Sequence, residues 1–218
     1  MATARTVVAS LLLLPFVAAP GCNSAGIAMR EKLGIPKREQ LVDRVKDARE
    51  SQQEAKQQFA SALDEFMAVT GAKGGELESK FRTMQREFDR CEDAAAEVQS
   101  RISNVDAVAT KLFSEWRREL SDYNDPAMRS RSERQLAQTQ RQYEQLMDVM
   151  NNAASKMEPV LLAFRDRVLF LKHNLNAAAI ASLQDNADVI QGDVSRLMAE
   201  MQASIDEADE FIEQMGRP

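Results

Sequence analysis

Few side chains in this sequence could do chemistry. It holds one histidine, His173, and two cysteines, Cys22 and Cys91, among 218 residues. Nucleophilic catalysis needs a positioned base beside the nucleophile. His173, with Lys172, Asn174 and Asn176 around it, reads instead as a capping or solvated residue near a helix boundary. Carboxylate-bridged di-metal bundles need paired Glu-x-x-His motifs, and position 170, three residues before His173, is Phe. There is no Cys-x-x-Cys, no Gly-rich phosphate loop and no Gly-x-Ser-x-Gly elbow. The expectation is a protein that is not an enzyme and carries no cofactor and no metal. Cys91 falls at a helix core position and is expected to be a buried thiol. Arg117, Arg118, Arg129, Arg131 and Arg134 cluster along the chain, but Glu115, Glu119, Asp122, Asp125 and Glu133 offset them, as on an ion-paired face.

Cys22 is different, because of what precedes it. Residues 1–22 carry one basic side chain, Arg5, then an apolar run from Val7 to Ala19 and small residues before the cysteine. This is the layout of a secretory signal peptide over 1–21. The run has roughly 13 residues, short of the roughly 20 that span a bilayer. Ala19-Pro20-Gly21-Cys22 resembles a bacterial lipobox, with Ala19 where Leu is usual. An acylated Cys22 would hold the chain on a membrane, since each buried CH₂ contributes about 0.8 kcal/mol. The alternative is ordinary cleavage that leaves a free N-terminal cysteine. By resemblance to enterobacterial sorting rules, Asn23 rather than Asp after the cysteine favours the outer membrane. Residues 23–36 contain Gly26, Gly34 and Pro36 without a sustained period, and are expected to be a flexible tether.

The elements that would position any site are helices. Eight Gly and one Trp stand in a chain rich in Ala, Gln, Glu, Arg, Leu and Met, and no segment alternates as a strand would. From Leu77, apolar residues step by four and three: Leu77, Met84, Cys91, Val98, Val105 and Leu112 on one line, and Phe81, Phe88, Ala95, Ile102, Ala109, Trp116 and Tyr123 on the other. A sustained 3.5-residue repeat marks helices that supercoil around partners. Leu41, Ala48, Ala55, Ala62 and Val69 continue the rule upstream, with Val45, Phe59 and Phe66 on the companion line and only Gln52 polar. Downstream it holds for Leu136, Tyr143, Met150, Met157, Phe164 and Leu171, and again for Leu183, Ile190 and Leu197.

Thr70–Gly75 and Asn124-Asp125-Pro126 break the pattern, the second with Asp125 as N-cap and Pro126 in the first turn. Connections this short force antiparallel neighbours. The reading is an all-α, elongated antiparallel helical bundle or coiled coil over 37–216. It has about four helices, near 38–69, 76–123, 126–173 and 177–215, with the second and third longest. Pro159, inside the third, predicts a kink. Bulky Phe residues facing many seam alanines favour such a bundle over a simple parallel pair. Residues 30–49 hold seven basic and four acidic side chains, and the last helix ends in Asp206-Glu207-Ala208-Asp209-Glu210, so the first and last helices are expected to be neighbours. At 1.5 Å per residue the second and third helices reach roughly 70 Å and should project roughly 20 Å past the others. Trp116, Leu120 and Tyr123 at that tip are the candidate protein contact.

The net charge of −6 argues against nucleic acid and anionic lipid surfaces as partners of the body of the chain. Ile35-Pro36-Lys37-Arg38, residues 41–59 (LVDRVKDARESQQEAKQQF), residues 157–183 (MEPVLLAFRDRVLFLKHNLNAAAIASL) and residues 201–212 (MQASIDEADEFI) resemble the bacterial family known as domain of unknown function 2959 (DUF2959). The resemblance covers residues 30–215, and LFLKHNLNA is its most distinctive stretch. It implies a Gram-negative envelope protein, often with a lipoprotein-type signal, and no assigned activity. It also singles out Lys172, His173, Asn174 and Asn176 as a candidate site. The leading functional expectation is a periplasmic, membrane-anchored scaffold or adaptor with an envelope protein partner. A homo-oligomer is left open. A lipid- or surfactant-binding bundle is the alternative, and a metal or catalytic site around His173 the third reading.

Overall fold

The computed structural model describes residues 22–72, 74–184 and 187–216. The expected signal peptide, 1–21, lies outside the described residues. Among them the helices are α1 (Cys22–Lys32), α2 (Lys37–Thr70), α3 (Leu77–Glu119), α4 (Pro126–His173), α5 (Ala177–Gln184) and α6 (Ala187–Gly216). Short 3-10 turns, Gly74–Glu76 and Leu120–Asp122, flank α3. No strand occurs among the described residues, and α3 and α4 are the longest elements at 43 and 48 residues. The protein is an all-α antiparallel bundle.

Four long helices form a ring. α2 packs on α3 and α6, and α4 packs on the same two from the other side. The heptad positions explain this closure. Leu41, Val45, Ala48, Ala55, Phe59, Ala62, Phe66 and Val69 of α2 are all sealed from solvent, and so are Met150, Met157 and Phe164 of α4 and Val194, Leu197, Met201 and Phe211 of α6. Burying one such large side chain contributes about 1.5–3 kcal/mol. Phe59, Phe66, Phe164 and Phe211 are among the largest fully buried groups, and Ala48, Ala55, Ala62, Ala153 and Ala208 make space for them. Phe66 and Phe164 meet edge-on across the ring, with centroids 6.0 Å apart and planes at 80°. The expected pairing of α2 with α6 is present: Arg49 and Asp209 form an ion pair at 2.7 Å, and the Arg38 guanidinium donates to the Met215 carbonyl at 2.7 Å.

The α3–α4 turn is built as its residues dictate. The Asp125 carboxylate accepts from the Ala127 N–H at 2.8 Å, with Pro126 opening the helix. α4 then runs through Pro159 without stopping. Beside that proline, where no backbone donor is available, a groove of about 230 Å³ opens between α4 and α6.

One segment differs from expectation. The stretch read as a tether contains α1, and it is docked. Ile27 is buried, the Gln40 side-chain amide donates to the carbonyls of Ile27 (3.3 Å) and Ile35 (2.9 Å), and Arg30 pairs with Asp43 at 2.9 Å. Gly34, at φ 84°, closes α1 with Ile35 N–H to Arg30 O (3.1 Å) and Gly34 N–H to Glu31 O (2.9 Å). That is a left-handed glycine cap, which a side chain at this position would strain. With Ile27 the one buried apolar residue among the described side chains of α1, the segment has no period for a sequence reading to detect. Near the C-terminus the expected helix 177–215 is described as α5 and α6, on either side of residues 185–186, which lie outside the described residues. Leu183, Ala187 and Ile190 are buried and continue the step of four and three across them. α5 covers the end of the bundle: Ala179 and Ile180 are buried as well, and the Gln184 amide donates to the Thr70 carbonyl at 2.7 Å, satisfying the last turn of α2.

Candidate contact surfaces at the two ends of the bundle

At the α3–α4 end, α2 begins level with Glu115, because Lys37 pairs with both Glu115 (2.9 Å) and Glu31 of α1 (2.5 Å). Burial opposes the charge on Lys37, but the hydrogen bonds it donates to the two carboxylates, with their negative charge, outweigh it and raise its pKa. α6 ends lower, where Gln214 accepts from Gln142. The hairpin therefore extends past α6 by roughly 20 Å but past α2 by only roughly 10 Å. It closes on itself. Trp116 is half-buried and its indole N–H donates to the Ser132 hydroxyl at 2.8 Å; Leu120 is half-buried in the 3-10 turn. Phe113 is buried and packs edge-on against Tyr143, centroids 5.3 Å apart, and the Tyr143 hydroxyl donates to Asp106 at 2.7 Å. Of the three tip candidates, Tyr123 presents the most to solvent, at 42% exposed.

The opposite end holds the 169–177 stretch. Leu171 is fully buried, while Lys172 and His173 are exposed in the last turn of α4. Asn174 caps that helix, with its N–H on the Leu171 carbonyl (3.1 Å) and its side-chain amide on the Phe170 carbonyl (3.0 Å). The Asn176 side-chain oxygen accepts from the Ala179 N–H at 3.0 Å and opens α5. The two asparagines thus build the corner between α4 and α5, by the local hydrogen bonding that favours Asn at helix ends. The apolar residues on this corner were missed by the seam reading. Leu162, Leu169, Phe170 and Leu175 are 40–50% exposed, and Phe170 borders a hollow of about 180 Å³ with Asp166, Arg167, Ser182 and Leu183. The signal was present: residues 161–171 hold more large apolar side chains than one seam can absorb. Leu161, Phe164, Val168 and Leu171 take the core positions, and Leu162, Leu169 and Phe170 are left outside.

Polar groups are also buried between the helices. Ser204 donates to the Gln52 side-chain oxygen at 2.9 Å; both residues are fully buried, and the Gln52 amide nitrogen has no partner. Cys91 is buried, its thiol facing the Gln58 carbonyl at 3.4 Å. Glu87 accepts from the Gln58 amide (2.7 Å), the Ser61 hydroxyl (3.2 Å) and Arg90 (2.7 Å). The hydrogen bond from Gln58 outweighs the opposing effect of burial and, with the nearby Arg90, holds this carboxyl below its ordinary value. A lowered pKa in the folded state means stability that is present at neutral pH and lost as pH falls through the folded value. Glu87→Gln should therefore lower the urea midpoint at pH 7, and the gap to wild type should shrink as pH falls through the folded-state pKa; a constant gap would contradict this role. Among the described residues, no group of three or more His, Cys, Asp or Glu side chains is gathered as a metal site requires. Nor is any described helix long and apolar enough to cross a membrane.

Fold and surface together define an antiparallel helical bundle with an exposed apolar corner at one end. The family model described as a protein of unknown function (DUF2959) matches residues 27–215, and the chain belongs to that family. No curated protein and no solved structure matches the chain.

Proposed function

We propose that the protein is a non-enzymatic scaffold or adaptor of the bacterial envelope. In this reading residues 1–21 export it, acylation of Cys22 holds it on a membrane facing the periplasm, with the outer membrane favoured, and the bundle presents a helical surface to a protein partner. The observation that carries the reading is the exposed corner of Leu162, Leu169, Phe170 and Leu175. Contiguous apolar side chains on a folded surface mark an interaction site more often than isolated ones do. The corner also lies at the end of the bundle away from α1, because the Arg165–Glu92 pair sets it well down α3 from Glu115. Along the axis the separation is roughly 45 Å. An anchor at one end and a contact surface at the other is the layout of an adaptor.

A photo-crosslinking side chain placed at Leu169 or Phe170 in living cells should capture one discrete protein, whereas the same probe at exposed Glu144 should not. Phe170→Asp should abolish co-purification of that protein while changing stability by no more than about 0.5 kcal/mol, as is usual for surface substitutions. Capture of lipid instead would favour a lipid-binding bundle. No capture at all would remove the basis for the adaptor reading.

A further inference from the structure

We infer that α1 is an in-plane membrane helix: a lipid bilayer covers its outward face, and the bundle is held against that surface with no slack between anchor and body. The inference rests on the membrane attachment proposed at Cys22. Successive helical residues turn by about 100°, so positions four and seven apart share a face. α1 turns Ile27 inward, against α2. Met29 and Leu33 lie on the opposite side, and at 66% and 70% they are the most exposed large apolar residues described in the protein. Position 22, the first of α1, falls seven before Met29 and eleven before Leu33, and so on that same outward face. The point at which the chain would enter lipid and the two most exposed of the large apolar side chains described are therefore aligned.

Lipid is favoured over a protein as the occupant by what precedes this helix. In the proposed attachment, the apolar run Val7–Ala19 would direct export and an acylated Cys22 would enter the bilayer at the first residue of α1. Met29 follows about 10 Å along the axis, and Leu33 about 16 Å. A helix lying in the interface would seat all three positions at one depth, which an upright helix would not. Charge agrees with this placement. α1 has no acidic residue in its first turn, Arg30 and Lys32 stand in its last turn, and Glu31 is engaged by Lys37. Exposed Lys32 would lie at headgroup level, where basic residues favour anionic lipid. The contacts of Ile27, Gln40 and Arg30 with Asp43 then transmit the orientation of α1 to the whole bundle.

The test uses the full chain, exported by cells, purified and reconstituted into vesicles of phosphatidylethanolamine and phosphatidylglycerol at three to one. Environment-sensitive fluorophores are attached at Met29→Cys, Leu33→Cys and, as the distant control, Phe170→Cys. Spin-labelled lipid should at least halve emission from the first two positions and leave the third unchanged. Vesicle-bound protein whose labels at 29 and 33 are quenched no more than at 170 would overturn the inference while leaving the attachment intact. Failure of the chain to float with vesicles, with no acyl group on Cys22 by mass spectrometry, would overturn the attachment and this inference with it.

Discussion

Replacing Phe66 by alanine is expected to destabilise the bundle by about 3–5 kcal/mol, the range for deleting a buried aromatic ring. Phe66 is fully sealed and meets Phe164, only 1% exposed, across the ring between α2 and α4. Phe66→Leu, which refills most of the volume, should cost far less. In the double variant with Phe164→Ala, the losses should fall short of the sum by about 0.5–1.5 kcal/mol, the value of an edge-to-face pair beyond its buried area. Urea unfolding with an unchanged dependence on denaturant is the measurement. Strict additivity would show that the two rings are not coupled.

Cys91 should be nearly inert in the folded protein. Burial pushes its thiol up from 9.0 to about 12; the side-chain amide of Gln58 pulls the other way, and Glu87 and Glu92 add to the rise. The thiolate is the reactive form, and its population below the pKa falls tenfold per unit. At pH 7.5 alkylation should therefore be about a thousandfold slower than for an ordinary exposed thiol, and burial of the sulfur slows it further. The rate should recover in urea, together with loss of helical signal. Rapid labelling in the native protein would mean that α2 and α3 part readily at this level. The same inertness lets labels placed elsewhere report without interference from Cys91.

The long helices were legible because their energetics are periodic. A side chain at every third or fourth position that must leave water can be read without knowing its partner, and Leu41 to Val69 and Leu77 to Val105 do leave it. The same logic misplaced side chains wherever partners run out. Trp116 and Leu112 are only partly covered, while off-seam Val108 and Phe113 are buried, because near the ends of α2 and α6 the seam faces fewer helices. α1 was not legible, since its docking depends on one isoleucine, one glutamine amide and a glycine turn, none of which makes a pattern. Around His173 the sequence singled out polar side chains, and the structure adds apolar ones beside them. Asn174 and Asn176 are held by backbone groups of their own corner, and Leu169, Phe170 and Leu175 face outward together with Lys172 and His173. An apolar residue left over from a seam is visible in a sequence only after the seam has been assigned.

The buried pair of Gln52 and Ser204 has a consequence for how the chain finds its register. An apolar seam repeating every seven residues is nearly unchanged when one helix slides along another by a heptad, about 10 Å. Such a slip of α6 would move Ser204 away and bring Leu197 or Phe211 opposite Gln52, the polar residue in the seam of α2. The glutamine would then lose its one side-chain partner in a dry interior, at about 1–3 kcal/mol for the stranded group. Apolar contacts make the bundle cohere, but they do so at several settings. A single polar rung works as a vernier mark and singles out one of them.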